Sequence, residues 1–91
     1  MPLKHWRWLR RDQATREAVI EAISEFCERQ RQYPGVEWAR FFWSGPSEFV
    51  VLSELDVGVN PAKDLEIAAA KIRIDDVAHL KAYEIWSEIT A

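Results

Sequence analysis

The chain has one cysteine, Cys27, and three glycines among its 91 residues. A lone cysteine excludes an intramolecular disulfide framework and a cysteine-rich zinc site. So few glycines, nowhere clustered, leave no phosphate-cradling loop, and no Ser, His and Asp follow a recognisable nucleophile pattern. No metal site is therefore expected, and no cofactor. No apolar run approaches the roughly 18 residues of a membrane span, and no signal-like segment opens the chain. A soluble protein of the reducing cytoplasm is expected, with no membrane partner. Positive charge is not in surplus: 12 Lys and Arg stand against 15 Asp and Glu, a formal net charge of −3. Nucleic-acid binding needs a basic footprint, so no nucleic-acid partner is expected. The early group Lys4, Arg7, Arg10, Arg11 and Arg16 is interleaved with Trp and reads as a solvated strand edge. No repeat, low-complexity tract or linker interrupts the chain, so residues 1–91 are expected to form a single domain.

What the chain does have is apolar mass: 48% hydrophobic residues, five Trp and four Phe. The densest stretch is Val36 to Asp56, VEWARFFWS-GP-SEFVVLSELD. Two β-prone runs flank Gly45-Pro46, the pattern of an antiparallel hairpin. If Ser44 sits opposite Ser47, alternation groups Val36, Trp38, Arg40, Phe42, Phe49, Val51, Ser53 and Leu55 on one face. The other face then carries Glu37, Ala39, Phe41, Trp43, Val50, Leu52 and Glu54, and a one-residue slip would reshuffle both sets. Both faces are apolar. Helices can cover the first. A monomer rarely leaves the second open, so a second copy of the chain is its expected cover.

Upstream, Leu3 to Arg10 (LKHWRWLR) alternates like a short strand. Asp12 to Gln32 spaces Ala18, Val19, Ala22, Ile23, Phe26 and Cys27 as one helical face, capped by Asp12 or Thr15. Glu25 and Arg29 form a favourable i,i+4 pair on its wet side. Tyr33-Pro34-Gly35 ends it. Downstream, Asn60-Pro61 is a helix start. Leu65, Ala68, Ala69, Ile72, Val77, Leu80, Ala82, Tyr83, Ile85, Trp86 and Ile89 continue at helical spacing, broken near Asp75-Asp76. The rival reading makes Lys71 to Asp75 a short strand. The order is β-α-β-β-α: an α+β, ferredoxin-like plait whose last strand is missing or very short.

The helix EAVIEAISEFCERQ, the segment YPGVEWARFFWSG, the strand EFVVLSELD and the terminal DDVAHLKAYEIWSEI together resemble the dimeric α/β-barrel superfamily, which includes antibiotic-biosynthesis monooxygenase and NIPSNAP-like domains. The resemblance covers most of the chain at the level of pattern. It implies a homodimer whose sheets pack face to face around a small cavity, and a small organic ligand. It also implies, for an enzymatic member, cofactor-independent oxygenation or a related proton transfer. The Asn, Trp and His set of haem-degrading members has no residue-by-residue match here.

Candidate site residues follow from the assumed register. Glu37 and Glu54 would face each other, each raising the other's pKa, and are the general-base candidates. Trp43, Phe41, Leu52 and His5 would line a pocket for a small apolar or aromatic molecule in the enclosed sheet face. Trp38 and Trp86 read as core or interface, His79 as a helix-surface residue, and Cys27 as inert core. The alternative to a ligand-binding barrel is a non-catalytic interaction module that docks a partner protein through the sheet face or the C-terminal helix.

Overall fold

The computed structural model describes residues 2–87. Strand β1 (Leu3–Arg10) leads into helix α1 (Arg16–Arg31), then strands β2 (Val36–Trp43) and β3 (Glu48–Leu55), helix α2 (Leu65–Asp75) and strand β4 (Ala78–Trp86). The four strands form one antiparallel sheet in the order β2-β3-β1-β4. Both helices pack on the same side of it. The architecture is a complete β-α-β-β-α-β ferredoxin-like plait.

The last strand is therefore neither missing nor short, and the chain's second helical region does not continue into a C-terminal helix. Lys71–Asp75 belongs to α2, and the strand lies just downstream, at Ala78–Trp86. Its inward residues, read from their partners on β1, are Ala78, Leu80, Tyr83 and Ile85, because a bulge at Lys81 breaks the two-residue period. The resulting three-residue step from Leu80 to Tyr83 imitates helical spacing. Ile89, the end of the expected helical pattern, lies outside the described residues.

Local chemistry places the helix ends. Thr15 caps α1, its hydroxyl accepting from the Ala18 N–H at 3.1 Å. Asn60-Pro61 starts only a single 3₁₀ turn, Pro61–Lys63, and Asp64 caps α2 by accepting from the Glu66 and Ile67 N–H groups at 2.8 and 3.0 Å. Such caps stabilise a helix by about 1 kcal/mol each. Glu28 and Arg31 pair within α1 at 3.3 Å, but the expected Glu25–Arg29 pair does not form. Arg29 pairs with Glu66 at 2.7 Å and Glu25 pairs with Arg73, tying α1 to α2.

The hairpin register differs by one residue from that expected. Trp43 pairs with Phe49, Phe41 with Val51 and Ala39 with Ser53. The cause is the turn. The Ser44 N–H donates to Glu48 O at 3.0 Å, closing a three-residue loop, while the Ser47 carbonyl is taken by the Arg10 N–H of β1 at 2.7 Å. A second irregularity leaves Glu37 bulged between Val36 and Trp38. The helix-covered face thus carries Ala39, Phe41 and Trp43 with Phe49, Val51, Ser53 and Leu55. Trp38, Arg40 and Phe42 join Val50, Leu52 and Glu54 on the open face.

The core lies between this inner face and the helices. Trp6, Trp8, Val19, Ile23, Phe26, Cys27, Phe49, Val51 and Ile74 are buried there. Phe26 projects edge-on against both β1 tryptophans, with ring centroids 5.2 Å from Trp6 and 5.9 Å from Trp8. Such pairs add about 0.5–1.5 kcal/mol beyond area burial. Burial pushes the Cys27 thiol up to about 12, which holds it protonated and inert.

Candidate functional site: a cavity between sheet and helices

A cavity of about 390 Å³ opens between the inner face of the sheet and the two helices. Trp6 and Lys4 of β1 and Leu80 and Tyr83 of β4 floor it, Phe26 and Gln30 of α1 form one wall, and Ile67, Ala68 and Lys71 of α2 the other. The bulge at Lys81 matters here, since it returns Tyr83 to the inner side after Leu80. Tyr83 lies 5.3 Å from Trp6, ring to ring, so the floor is aromatic. Ala68, the one small side chain on the α2 wall, leaves space that a larger one would fill. The volume falls within the usual range for small-molecule sites, and the lining matches their pattern of apolar walls with few polar groups.

Those polar groups are distinctive. Gln30 is 1% exposed, and neither atom of its side-chain amide has a hydrogen-bond partner among the described residues. A buried amide left so costs roughly 1–3 kcal/mol per unmet group. Burial also lowers the pKa of Lys4 and raises that of Tyr83. Both shifts have one physical cause, a poorly hydrated surrounding that disfavours the charged form.

The residues singled out from the sequence divide between the two faces. His5 and Leu52 are cross-strand partners on the open face, and Glu54 lies on the same face opposite Leu3 and Trp38. Phe41 and Trp43 are on the helix side, packed against the core rather than lining the cavity. Trp43 leans on Phe49 at 3.7 Å, with the Arg16 guanidinium 4.3 Å from the indole. Glu37 and Glu54 are not directly opposed, because Trp38 holds the position across from Glu54. Glu37 sits instead in its bulge, where hydrogen bonding to Asp56 and the Asp56 charge, then burial and Glu54, raise its carboxyl pKa. Neither glutamate lines the cavity. Among the described residues, no group of three or more His, Cys, Asp and Glu side chains is arranged to hold a metal ion.

On the open face, Arg7 donates to Ser44 Oγ at 2.8 Å and to Glu48 Oε2 at 3.0 Å, and Lys81 Nζ lies 2.6 Å from Glu48 Oε1. Bonds from Lys81 and Arg7 hold the Glu48 carboxyl below its ordinary value. Around this cluster the face mixes apolar side chains with Arg40, Glu54 and Glu84. It carries Phe42, 47% exposed, and Trp86, 43% exposed, with Val50 and Leu52 between strands.

The sequence reading missed Gln30, Lys4 and Tyr83 as candidate site residues. Gln30 offered a signal: it lies four residues after Phe26 on the apolar stripe of α1, where a polar side chain must be buried. Lys4 alternates in register with Trp6 and Trp8 and offered the same one.

No protein-family model matches the sequence, and no curated protein matches it. Solved structures do match the fold. The Streptomyces nogalater protein SnoaB, described as a cofactor-independent oxygenase, superposes with a TM-score of 0.84 at 5% identity, covering 99% of this chain and 94% of its own. A structure described as an antibiotic biosynthesis monooxygenase gives 0.79 at 15% identity, over 99% and 100% of the two chains. A dimeric ferredoxin-like protein of unknown function from Bacteroides fragilis gives 0.65 at 16% identity, over 96% of each. The chain has the fold of the antibiotic-biosynthesis-monooxygenase-like ferredoxin-fold proteins. Among the described residues, no helix is long and apolar enough to cross a membrane.

Proposed function

We propose that this protein binds a small apolar or aromatic organic molecule in the cavity between its sheet and its helices, and that it does so as a homodimer joined through the open sheet faces. The observation that carries the reading is the cavity itself: about 390 Å³, aromatic on its floor, with the buried Gln30 amide unpartnered in its wall. An apolar, aromatic-floored cleft of this size with a few polar groups has the character of a small-molecule site. The likeness to SnoaB and to the monooxygenase structure supports oxygenation of the bound molecule as the reaction class. In that case Gln30, Lys4, Lys71 and Tyr83 are the polar groups that line the ligand's cavity, and Glu37 and Glu54 stand outside. The B. fragilis protein, described as dimeric, supports the assembly.

The competing reading, an interaction module, draws on the exposed Phe42 and Trp86 of the open face. A titration with 2-naphthol, followed by backbone and side-chain amide NMR, separates the two. The expected result is saturable shifts at Trp6, Phe26 and Gln30, abolished by Ala68→Trp, which fills the cavity. Shifts confined to the open face, or none at all, would sink the ligand-binding reading.

A further inference from the structure

The cavity's polar groups carry one sign of charge. Lys4 rises from the floor and Lys71 from the α2 wall, and among the described residues that line the cavity there is no Asp or Glu. Neither lysine makes an ion pair with a described residue. The chain as a whole is acidic, at −3, so this local bias does not merely reflect composition. Other cations of the fold are committed elsewhere: Arg7 and Lys81 to Glu48, Arg29 to Glu66 and Arg73 to Glu25. Gln30 lines the same cavity; it is 1% exposed, and its amide N–H₂ and carbonyl have no hydrogen-bond partner among the described residues.

An unpartnered buried amide donor and a partly desolvated ammonium that line one cleft can together receive an anionic oxygen. A ligand with only apolar surface would leave Gln30 unmet and Lys4 uncompensated. A cationic ligand would be repelled by both lysines. A ligand with a carboxylate, or an acidic enol or phenol in its ionised form, would accept from Gln30 Nε2 and pair with Lys4, while its rings or chain lay on Trp6, Phe26 and Tyr83. Charge-assisted hydrogen bonds in such low-dielectric surroundings are roughly twice as strong as neutral ones.

We infer that the ligand is an amphipathic organic anion, held by Lys4 and Gln30 at its acidic group and by the aromatic floor along its apolar body. This rests on the reading of the cavity as the ligand site and adds the chemical class of the ligand.

The test uses two probes of one shape and different charge, 2-naphthoate and 2-naphthamide, titrated calorimetrically into the full chain with NMR mapping of the contact site. The expected result is that the carboxylate binds about tenfold more tightly than the amide near neutral pH. Lys4→Met, which keeps the aliphatic stem and removes the charge, should bring the two affinities together. Lys63→Met removes the same charge from outside the cavity and should leave the preference intact. The wild-type comparison stands without any variant, should Lys4→Met fold poorly. Equal binding of acid and amide, with shifts at Trp6 and Gln30 for both, would overturn the anion assignment and leave the cavity reading standing. No shift at Trp6 or Gln30 from either probe would overturn both.

Discussion

The imidazole of His5 lies nearly parallel to the indole of Trp86, 4.6 Å between ring centroids at an angle of 17°. The pair spans β1 and β4 on the open face of the sheet. His5 is 4% exposed, and its Nδ1 lies 3.6 Å from the Glu84 carboxylate. Burial first, then the nearby Arg7 charge, lowers its pKa from the ordinary 6.5, against the opposing pull of Glu84. The sign of the consequence is fixed. Below the unfolded value the unfolded chain takes up a proton that the folded chain resists, so stability falls with falling pH from about 6.5 until the folded pKa is passed. Thermal unfolding between about pH 8 and about pH 5 should therefore show a loss on acidification that is reduced in His5→Gln. An identical pH profile in the variant would show that His5 stays uncharged, or charges equally, in both states.

Gln30 sets function against stability. Gln30→Leu replaces an unpartnered buried amide with an apolar side chain of similar volume. Such exchanges are neutral or stabilising, and here the gain should be about 1 kcal/mol in urea unfolding of the ligand-free protein. A marked loss of stability would mean that the amide is satisfied in solution, by water held in the cavity.

Much of this fold was legible and its errors had definite causes. The stripe Val19, Ile23, Phe26 and Cys27 with Thr15 before it is unambiguous, and so is the alternation of Trp6 and Trp8. Strand β4 was hidden by its own bulge, because Lys81 inserts one residue and makes Leu80 and Tyr83 look like helical neighbours. The hairpin faces were misassigned by a single residue, since Ser47 gives its carbonyl to Arg10 rather than pairing with Ser44. That contact is long-range and leaves no trace in local composition. The cavity was invisible for the same kind of reason: it depends on how two helices sit over β1 and β4, and no single segment encodes it.

Gly35 joins α1 to β2 in a conformation open mainly to glycine, φ +89°. Its carbonyl accepts from the Asp56 N–H at 2.8 Å, which ties the start of β2 to the end of β3. A Cβ there would also run into the Val59 side chain. Gly35→Ala should destabilise the fold by about 2 kcal/mol or more, read by denaturant midpoint at unchanged slope. Gly58→Ala has a similar positive φ of +83° and nothing within 4 Å of the added carbon, so it should cost about 1 kcal/mol. Equal costs at the two sites would show that Val59 moves aside freely.

The corrected register turns the dimer proposal into a paired experiment on adjacent residues of β2. Phe42 faces outward beside Val50, and Phe41 faces the core beside Val51. Phe42→Glu combined with Leu52→Lys places charge on the open face, and each substitution occurs twice across a two-fold interface. Dimer affinity should fall at least about a hundredfold while the monomer stays folded. Phe41→Glu instead puts a carboxylate against the helix-side core. It should destabilise each protomer by about 2–4 kcal/mol, whatever the assembly does. Sedimentation velocity and urea unfolding on the two proteins read these effects separately. An unchanged sedimentation coefficient for the first variant would remove the open face as the interface. A stable, dissociated Phe41→Glu protein would mean that the register has slipped back by one residue in solution, moving Phe41 to the open face and the whole β2 set with it.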